Sequence, residues 1–447
     1  MMDSSVSRTD VVIVGGGLAG LTAAAFAARG GRSVVLFDKA ARLGGRATTD
    51  NRDGYLFNRG AHAFYPGGPG AAVLAELGIT FESGSPKHLR VLLNGQLYPF
   101  PSTLGSLLQS SMLSAQDKIE LGRIFAILPT LDPRTLAAMS VEQWLAQLTR
   151  RPLVRRFLAG VARTFLYSSA LDLASADAVV DWLQRTSKHS VQYVHGGWQT
   201  LVDSLQQVAA GAGARIISGV RVEGIELQHG QFAGVRLRGG NVVSAATLVV
   251  ATMPAEAGAL LGGLAEPLSL SRVLAAEVAC LDVALHELPD HRSPVVQDLD
   301  RPRFLTTQSE FAPLAPAGSA LVQTFKQLDP REPTDPAADE RDLEDLLDTV
   351  QPGWRKATVK RVFLPRMAGS TALALARHGG LSGRPGPCVP GLEGVFLAGD
   401  WIGPAGYLSD ASLASGRAAA RLASEAQTDS ESLSLSGNAA HRGRFPG

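Results

Sequence analysis

The sequence is short of several features that would point to other functions. Its two cysteines, Cys280 and Cys388, stand far apart in a chain of 447 residues and form no Cys-x-x-Cys. Neither a disulfide framework nor a zinc site is suggested, and a reducing cytoplasm fits best. A surplus of positive charge is missing too. With 42 Lys plus Arg against 41 Asp plus Glu, nothing is left over to attract phosphate backbones, which argues against a nucleic-acid partner. The uncharged run from Val11 to Ala28 is interrupted by Gly15, Gly16, Gly17 and Gly20 and preceded by Asp3 and Asp10, unlike a signal peptide. No other stretch is apolar for long enough to span a bilayer. Peripheral attachment to a membrane stays open by this test. There is no Gly-x-Ser-x-Gly elbow, no Walker A lysine and no His-Glu-x-x-His. His189 and His195 lie close together but lack Cys or acidic partners at ligand spacing, so no metal is expected.

What is present organises a chain too long for one ordinary core, so two connected domains are expected. Asp10 to Val14 reads as a buried parallel strand, Leu18 to Arg29 as an Ala-rich helix and Ser33 to Phe37 as a second buried strand, together a βαβ unit. Turn signals at Asn51-Arg52-Asp53-Gly54 and Asn94-Gly95 mark two strand pairs. From Ser102 to about Leu183 the leucine spacing becomes helical, broken by Pro129, Pro133 and Pro152. A helix over Thr200 to Ala209 precedes expected strands at Ala214 to Leu227, Phe232 to Leu237, Val242 to Ser244 and Thr247 to Ala251. Asp335 and Pro336 open an acidic helix whose charges read as a solvated face. Gly394 to Ala398 reads as a strand and Ser409 to Ala423 as a small-residue helix. The Ser- and Gly-rich tail after Ala426 is expected to be disordered.

The chemistry begins at Gly15-x-Gly17-x-x-Gly20, between a strand and a helix, with Asp38 closing the next strand. Gly15 permits the tight turn, Gly17 admits a pyrophosphate, and Gly20 lets helix and strand pack closely. Free N–H groups and the positive end of the helix dipole then face the phosphates, while Asp38 suits ribose hydroxyls. Leu43-Gly44-Gly45-Arg46 brings a glycine pair and a guanidinium to the same region. Ala398-Gly399-Asp400 follows the last strand and precedes the last helix, where Asp400 is available to a ribityl chain or pyrophosphate.

These segments resemble the flavin amine oxidase superfamily, which includes phytoene desaturase, protoporphyrinogen oxidase and the monoamine and polyamine oxidases. Its motifs stand in order: VVIVGGGLAGLTAA, FDKAARLGGRATT, GAHAF at Gly60 to Phe64, GGWQTLVDSL, VRVEGIEL, VVATMP and FLAGDWIGPAGYLSDASLASGRAAA. The resemblance implies an α/β fold: a Rossmann-like FAD-binding domain from residues 1–85, 196–262 and 386–425, and a discontinuous α+β substrate domain from 86–195 and 263–385. FAD is the implied cofactor. Gly15, Gly17, Gly20, Asp38, Gly45, Arg46, Val222 and Asp400 are implied to contact it, with Leu18, Ala19, Lys39, Gly44 and Gly399 beside them, and Val222 holding adenine through its backbone. The family more often has Glu where this chain has Asp38.

Amine oxidases typically carry a lysine near the flavin on a strand soon after the segment matching VVATMP, and Ser271 to His286 contains none. Tyr407 falls where those enzymes place an aromatic cage wall, Trp401 adjoins Asp400, and His62 lies in GAHAF. These three are the candidate substrate-side residues. The resemblance implies dehydrogenation, desaturation or isomerisation of an apolar isoprenoid- or porphyrinogen-like substrate, with oxygen, a quinone or another electron acceptor unspecified. Amine oxidation is the runner-up. The Rab escort and GDP-dissociation-inhibitor proteins share this fold without redox chemistry, which keeps a non-catalytic reading open.

Overall fold

The structure is a computed structural model that describes residues 8–441. Two seven-stranded sheets organise it. In the first, the strands Val242–Val250, Arg8–Val14, Val34–Asp38 and Arg215–Ser218 run parallel in that order. The short strand Val395–Leu397 joins Val242–Val250 in parallel, and the pair Val222–Gln228 and Gln231–Leu237 extends the same edge antiparallel. Strand Arg8–Val14 is central because Val11, Val12 and Ile13 bury both faces.

Helix Leu18–Arg29 covers one face and is bounded as the sequence suggests. Its alanines let neighbours approach closely. A Cβ on Gly416 of the final helix would lie 2.4 Å from the Ala19 carbonyl oxygen, so glycine permits that crossing.

The second sheet has the order Thr358–Ser370, Ala276–Leu285, Ala320–Gln327, Arg303–Thr306, Val295–Asp298, Leu89–Leu93, Gln96–Pro99. It is antiparallel except where Leu89–Leu93 meets Val295–Asp298. Its longest inner strand, Ala276–Leu285, is buried on both faces. One face packs on helix Pro336–Val350; the other meets a helical layer that includes Ala115–Ile127, Val141–Leu148, Pro152–Leu166 and Ala176–Thr186. Ser114 and Ser140 open two of these helices with reciprocal capping boxes.

Four local expectations need correction. Ala214 to Leu227 is two strands, because the chain turns at Gly219 with φ +75° while the Gly219 and Val220 N–H groups bond to Ala40 and Asp38 carbonyls. The two strands expected at Val242 to Ser244 and Thr247 to Ala251 are instead one, Val242–Val250, which exchanges an antiparallel neighbour for parallel ones along its length, no breaker intervening. The acidic helix is not merely solvated: Asp339 is buried and, with Asp342, holds Lys326 at 2.9 and 3.0 Å. The final helix runs Ser409–His441, past the expected start of disorder; it extends an already nucleated helix, and Gln427 donates to the Asp10 carbonyl. Residues 442–447 lie outside the described residues.

Candidate functional site

The loop after Arg8–Val14 separates two reasons for being glycine. Gly15 has φ +109°, and a Cβ there would sit 2.4 Å from the Ala251 carbonyl oxygen. A Cβ on Gly20 would lie 1.8 Å from the Gly15 carbonyl oxygen. Both are demanded by the protein's own packing. Gly17 is different: its φ of −81° suits any residue, and a Cβ would meet no protein atom closer than 3.8 Å. The space before it belongs to a cavity of about 440 Å³. That opening, beside the free N–H groups of helix Leu18–Arg29, has the form and polarity a pyrophosphate needs, so the residues present fit a dinucleotide.

At this end the cavity is walled by Gly15, Gly17, Leu18 and Ala19, by Asp38 and Lys39, by Gly44, Gly45 and Arg46, and by Gly399 and Asp400. Asp38 is held by the Gly16 and Ala40 N–H groups at 2.5 and 2.7 Å, and Lys39 is paired with Glu256. Arg46 donates to Asp400 at 2.7 Å, and Asp400 also accepts from the Thr371 N–H and hydroxyl. Burial by itself would raise the Asp400 pKa, but the Arg46 charge and these donors hold it below the ordinary value. Buried Arg384 clamps the same loop by donating to the Asp400 and Gly406 carbonyls, and desolvation lowers its pKa to about 10.

Gly20 lies behind the wall, as its packing role requires, and does not line the cavity. Val222 does not line it either: the residue begins an edge strand and pairs with Leu237, while Thr252, Met253 and Glu256 bound that side.

The far end is built from side chains of distant segments. His62, Trp198, Tyr167 and Met367 line it with Ala61 and Ala63. The His62 Nδ1 lies 2.9 Å from the Gly60 carbonyl oxygen, and the ring sits 5.1 Å from Trp198. Burial and the Arg46 charge lower its pKa against the opposing Gly60 bond, so the imidazole is neutral at pH 7, Nδ1 donating and Nε2 an acceptor.

Two candidates are misplaced. Trp401 is fully buried, its indole N–H donating to the Thr252 carbonyl at 3.0 Å, and it does not line the cavity. Tyr407 stands one layer back, against Phe165, with Leu408, Ser409 and Ser412 at the surface instead. Sequence neighbourhood to Asp400 decides neither which side of the wall a ring takes nor its depth.

Tyr167 was missed. It ends helix Pro152–Leu166 in the left-handed region at φ +55°, donates to the Ala61 carbonyl at 2.8 Å and stacks on Phe325. Gly369 makes room for it, since a Cβ there would lie 2.5 Å from the Tyr167 Cβ. A bulky residue in this conformation, over-determined by its surroundings at a cavity wall, is a typical site of stored strain. No local sequence signal marks it.

The profile of a family described as flavin-containing amine oxidoreductases matches residues 18–423. The chain belongs to that family. It is an FAD-dependent oxidoreductase, which removes the non-catalytic reading. Among curated relatives, a coproporphyrinogen III oxidase of Propionibacterium freudenreichii subsp. freudenreichii is 27% identical over 77% of each chain. A chloroplastic protoporphyrinogen oxidase of Nicotiana tabacum is 34% identical, over 26% of this chain and 22% of its own. Among solved structures, an oxidoreductase from Methanosarcina mazei has a TM-score of 0.75 at 18% identity, covering 92% of this chain and 99% of its own. A cyclohexylamine oxidase from Brevibacterium oxydans has a TM-score of 0.70 at 17% identity, covering 93% and 99%. At such identities the structural likeness speaks for the fold alone, here a Rossmann-like FAD-binding α/β fold.

Proposed function

We propose that this enzyme dehydrogenates an apolar substrate of porphyrinogen or isoprenoid type. The observation that carries the reading is the composition of the far end of the cavity. Ala61, Ala63, Tyr167, Met367 and a neutral His62 line it beside a single guanidinium, Arg59, and the cavity's one lysine, Lys39, is at the opposite end, paired with Glu256. The relative that oxidises coproporphyrinogen supports the same class.

In this reading Gly15, Gly17, Gly44, Gly45 and Arg46 hold the pyrophosphate, Asp38 the adenosine ribose, and Asp400 the ribityl region. When bound, FAD supplies a two-electron acceptor. The protein's part is placement. Tyr167 and Met367 hold an apolar body at the far end and exclude water, and the His62 Nε2 takes up a proton released there. Incubating the holoenzyme with a porphyrinogen, a carotenoid precursor and a diamine tests the reading by its products. Porphyrin fluorescence or a lengthened polyene supports it; aldehyde from the diamine alone sinks it.

We also propose a peripheral membrane contact, on a separate observation. Among the described residues no helix is long and apolar enough to cross a membrane. Leu104, Leu108 and Ile119, however, stand 71%, 60% and 74% exposed on the neighbouring helices Leu104–Gln109 and Ala115–Ile127. Those helices bury Leu107, Leu121 and Ile124 in the same core as Tyr167 and Ala61. Co-sedimentation with lipid vesicles, lost when the three exposed residues become serine, is the expected outcome; unchanged sedimentation removes this contact.

A further inference from the structure

We infer that Arg59 is the anchor for an anionic group, a carboxylate, on the substrate, which therefore has an apolar body and an acidic edge. The inference rests on the proposed function and sharpens its substrate class.

Charge accounting around the cavity leads to it. Three cations line the cavity: Lys39, Arg46 and Arg59. Lys39 is neutralised by Glu256 and Arg46 by Asp400. The remaining lining carboxylate, Asp38, is turned to the Gly16 and Ala40 N–H groups. Arg59 alone of the three has no hydrogen bond or ion pair among the described residues.

The residue's backbone is held on both sides. Asn58 before it is buried and accepts from the Thr49 hydroxyl at 2.7 Å and the Trp198 N–H at 3.1 Å, and its amide reaches Gln308 at 3.4 Å. Gly60 after it has φ +82°, and a Cβ there would strike the Met367 methyl at 2.4 Å. A long exposed arginine thus leaves a rigid base and lines the cavity beside Ala61, Ala63 and Met367. His62, three residues on, is neutral, so the Arg59 guanidinium is the unpaired charge of that wall. Its planar fork matches a carboxylate in two parallel hydrogen bonds. The pyrophosphate has its own donors at the glycine loop and at Arg46, which leaves Arg59 for a second anion.

The experiment uses FAD-loaded enzyme as wild type, Arg59→Gln and Arg59→Lys. Flavin absorbance is titrated with decanoate and with the uncharged decanamide, neither of which must be oxidised to be read, and flavin content and melting temperature are recorded. Decanoate should bind wild type in preference to decanamide. Arg59→Gln should weaken decanoate by roughly ten- to hundredfold, the range for a lost charged hydrogen bond, without changing decanamide binding or flavin content. Arg59→Lys should recover part of the loss. Equal weakening of both probes, no weakening of either, or loss of FAD from Arg59→Gln overturns the inference. Failure of porphyrinogens and isoprenoids as substrates while decanoate discrimination persists would instead overturn the proposed reaction and leave the anion site standing.

Discussion

The two ends of the cavity are made of different material. The glycine end is chiefly backbone: N–H groups at the start of helix Leu18–Arg29, the Gly44-Gly45 turn, and an acid held by main-chain donors. The far end is chiefly side chains, drawn from GAHAF, from the ends of Pro152–Leu166 and Thr358–Ser370, and from Trp198. The lesson is that a ligand shared by a whole family is met by main chain, whose demands leave glycines in fixed places. The partner that varies is met by side chains, which leave no local pattern.

Glycine substitutions break the comparison most sharply. Gly20→Val should prevent folding, since its first carbon already overlaps the Gly15 carbonyl. Gly17→Val should yield folded protein with about a hundredfold or greater loss of FAD affinity, because its side chain enters only the cavity. Equal loss of folding in both, read by circular dichroism and flavin content, would erase the distinction drawn between them.

Next in size is the half-buried ion pair at the glycine end, in which Asp400 is 2% and Arg46 36% exposed. Asp400→Asn should destabilise the holoenzyme by about 2 kcal/mol, below the cost of breaking a fully buried pair because water screens the Arg46 side, and weaken FAD retention. The folded Asp400 pKa lies below its unfolded value, so the carboxylate's stabilisation is full above the unfolded pKa and disappears as pH falls through the folded one. Denaturant titrations from pH 3 to 7, about the window these carboxylate values define, should show the Asp400→Asn difference shrinking only at the acid end.

Tyr167→Phe removes one hydrogen bond and keeps the ring. It should cost about 1 kcal/mol, leave flavin content unchanged and slow flavin reduction by substrate. An unchanged rate per bound flavin would remove Tyr167 from the site. A pH-dependent effect concerns Asp410, whose carboxyl meets the Gly70 N–H at 3.0 Å. Burial raises its pKa to about 7. The folded state therefore binds this proton more tightly than the unfolded chain, and stability declines as pH rises from the ordinary Asp value toward 7. Asp410→Asn should flatten that part of the melting-temperature profile; an identical slope in both proteins would contradict it.

Legibility in the sequence follows the same division. Helix Leu18–Arg29, its flanking strands and the place of Asp38 at the end of the second strand were readable because turn sterics and apolar runs act locally. The Gly219 turn escaped because its hydrogen bonds go to Asp38 and Ala40, far away in the chain. Val222 and Tyr407 were carried over from the family pattern and Trp401 from its place beside Asp400, and neither ground says which side of a wall a side chain takes. Tyr167, Thr371 and Arg384 act through contacts made only after both sheets assemble.

The most direct test of the two-ended account is single-turnover flavin reduction without oxygen, measured as rate per bound FAD. Coproporphyrinogen III, an acyclic isoprenoid and putrescine would each be offered to wild type and to His62→Ala. Bleaching by the porphyrinogen or the isoprenoid is expected, with none by putrescine and slower bleaching in His62→Ala at full flavin content. Bleaching by putrescine alone, at the same rate in both proteins, would contradict it.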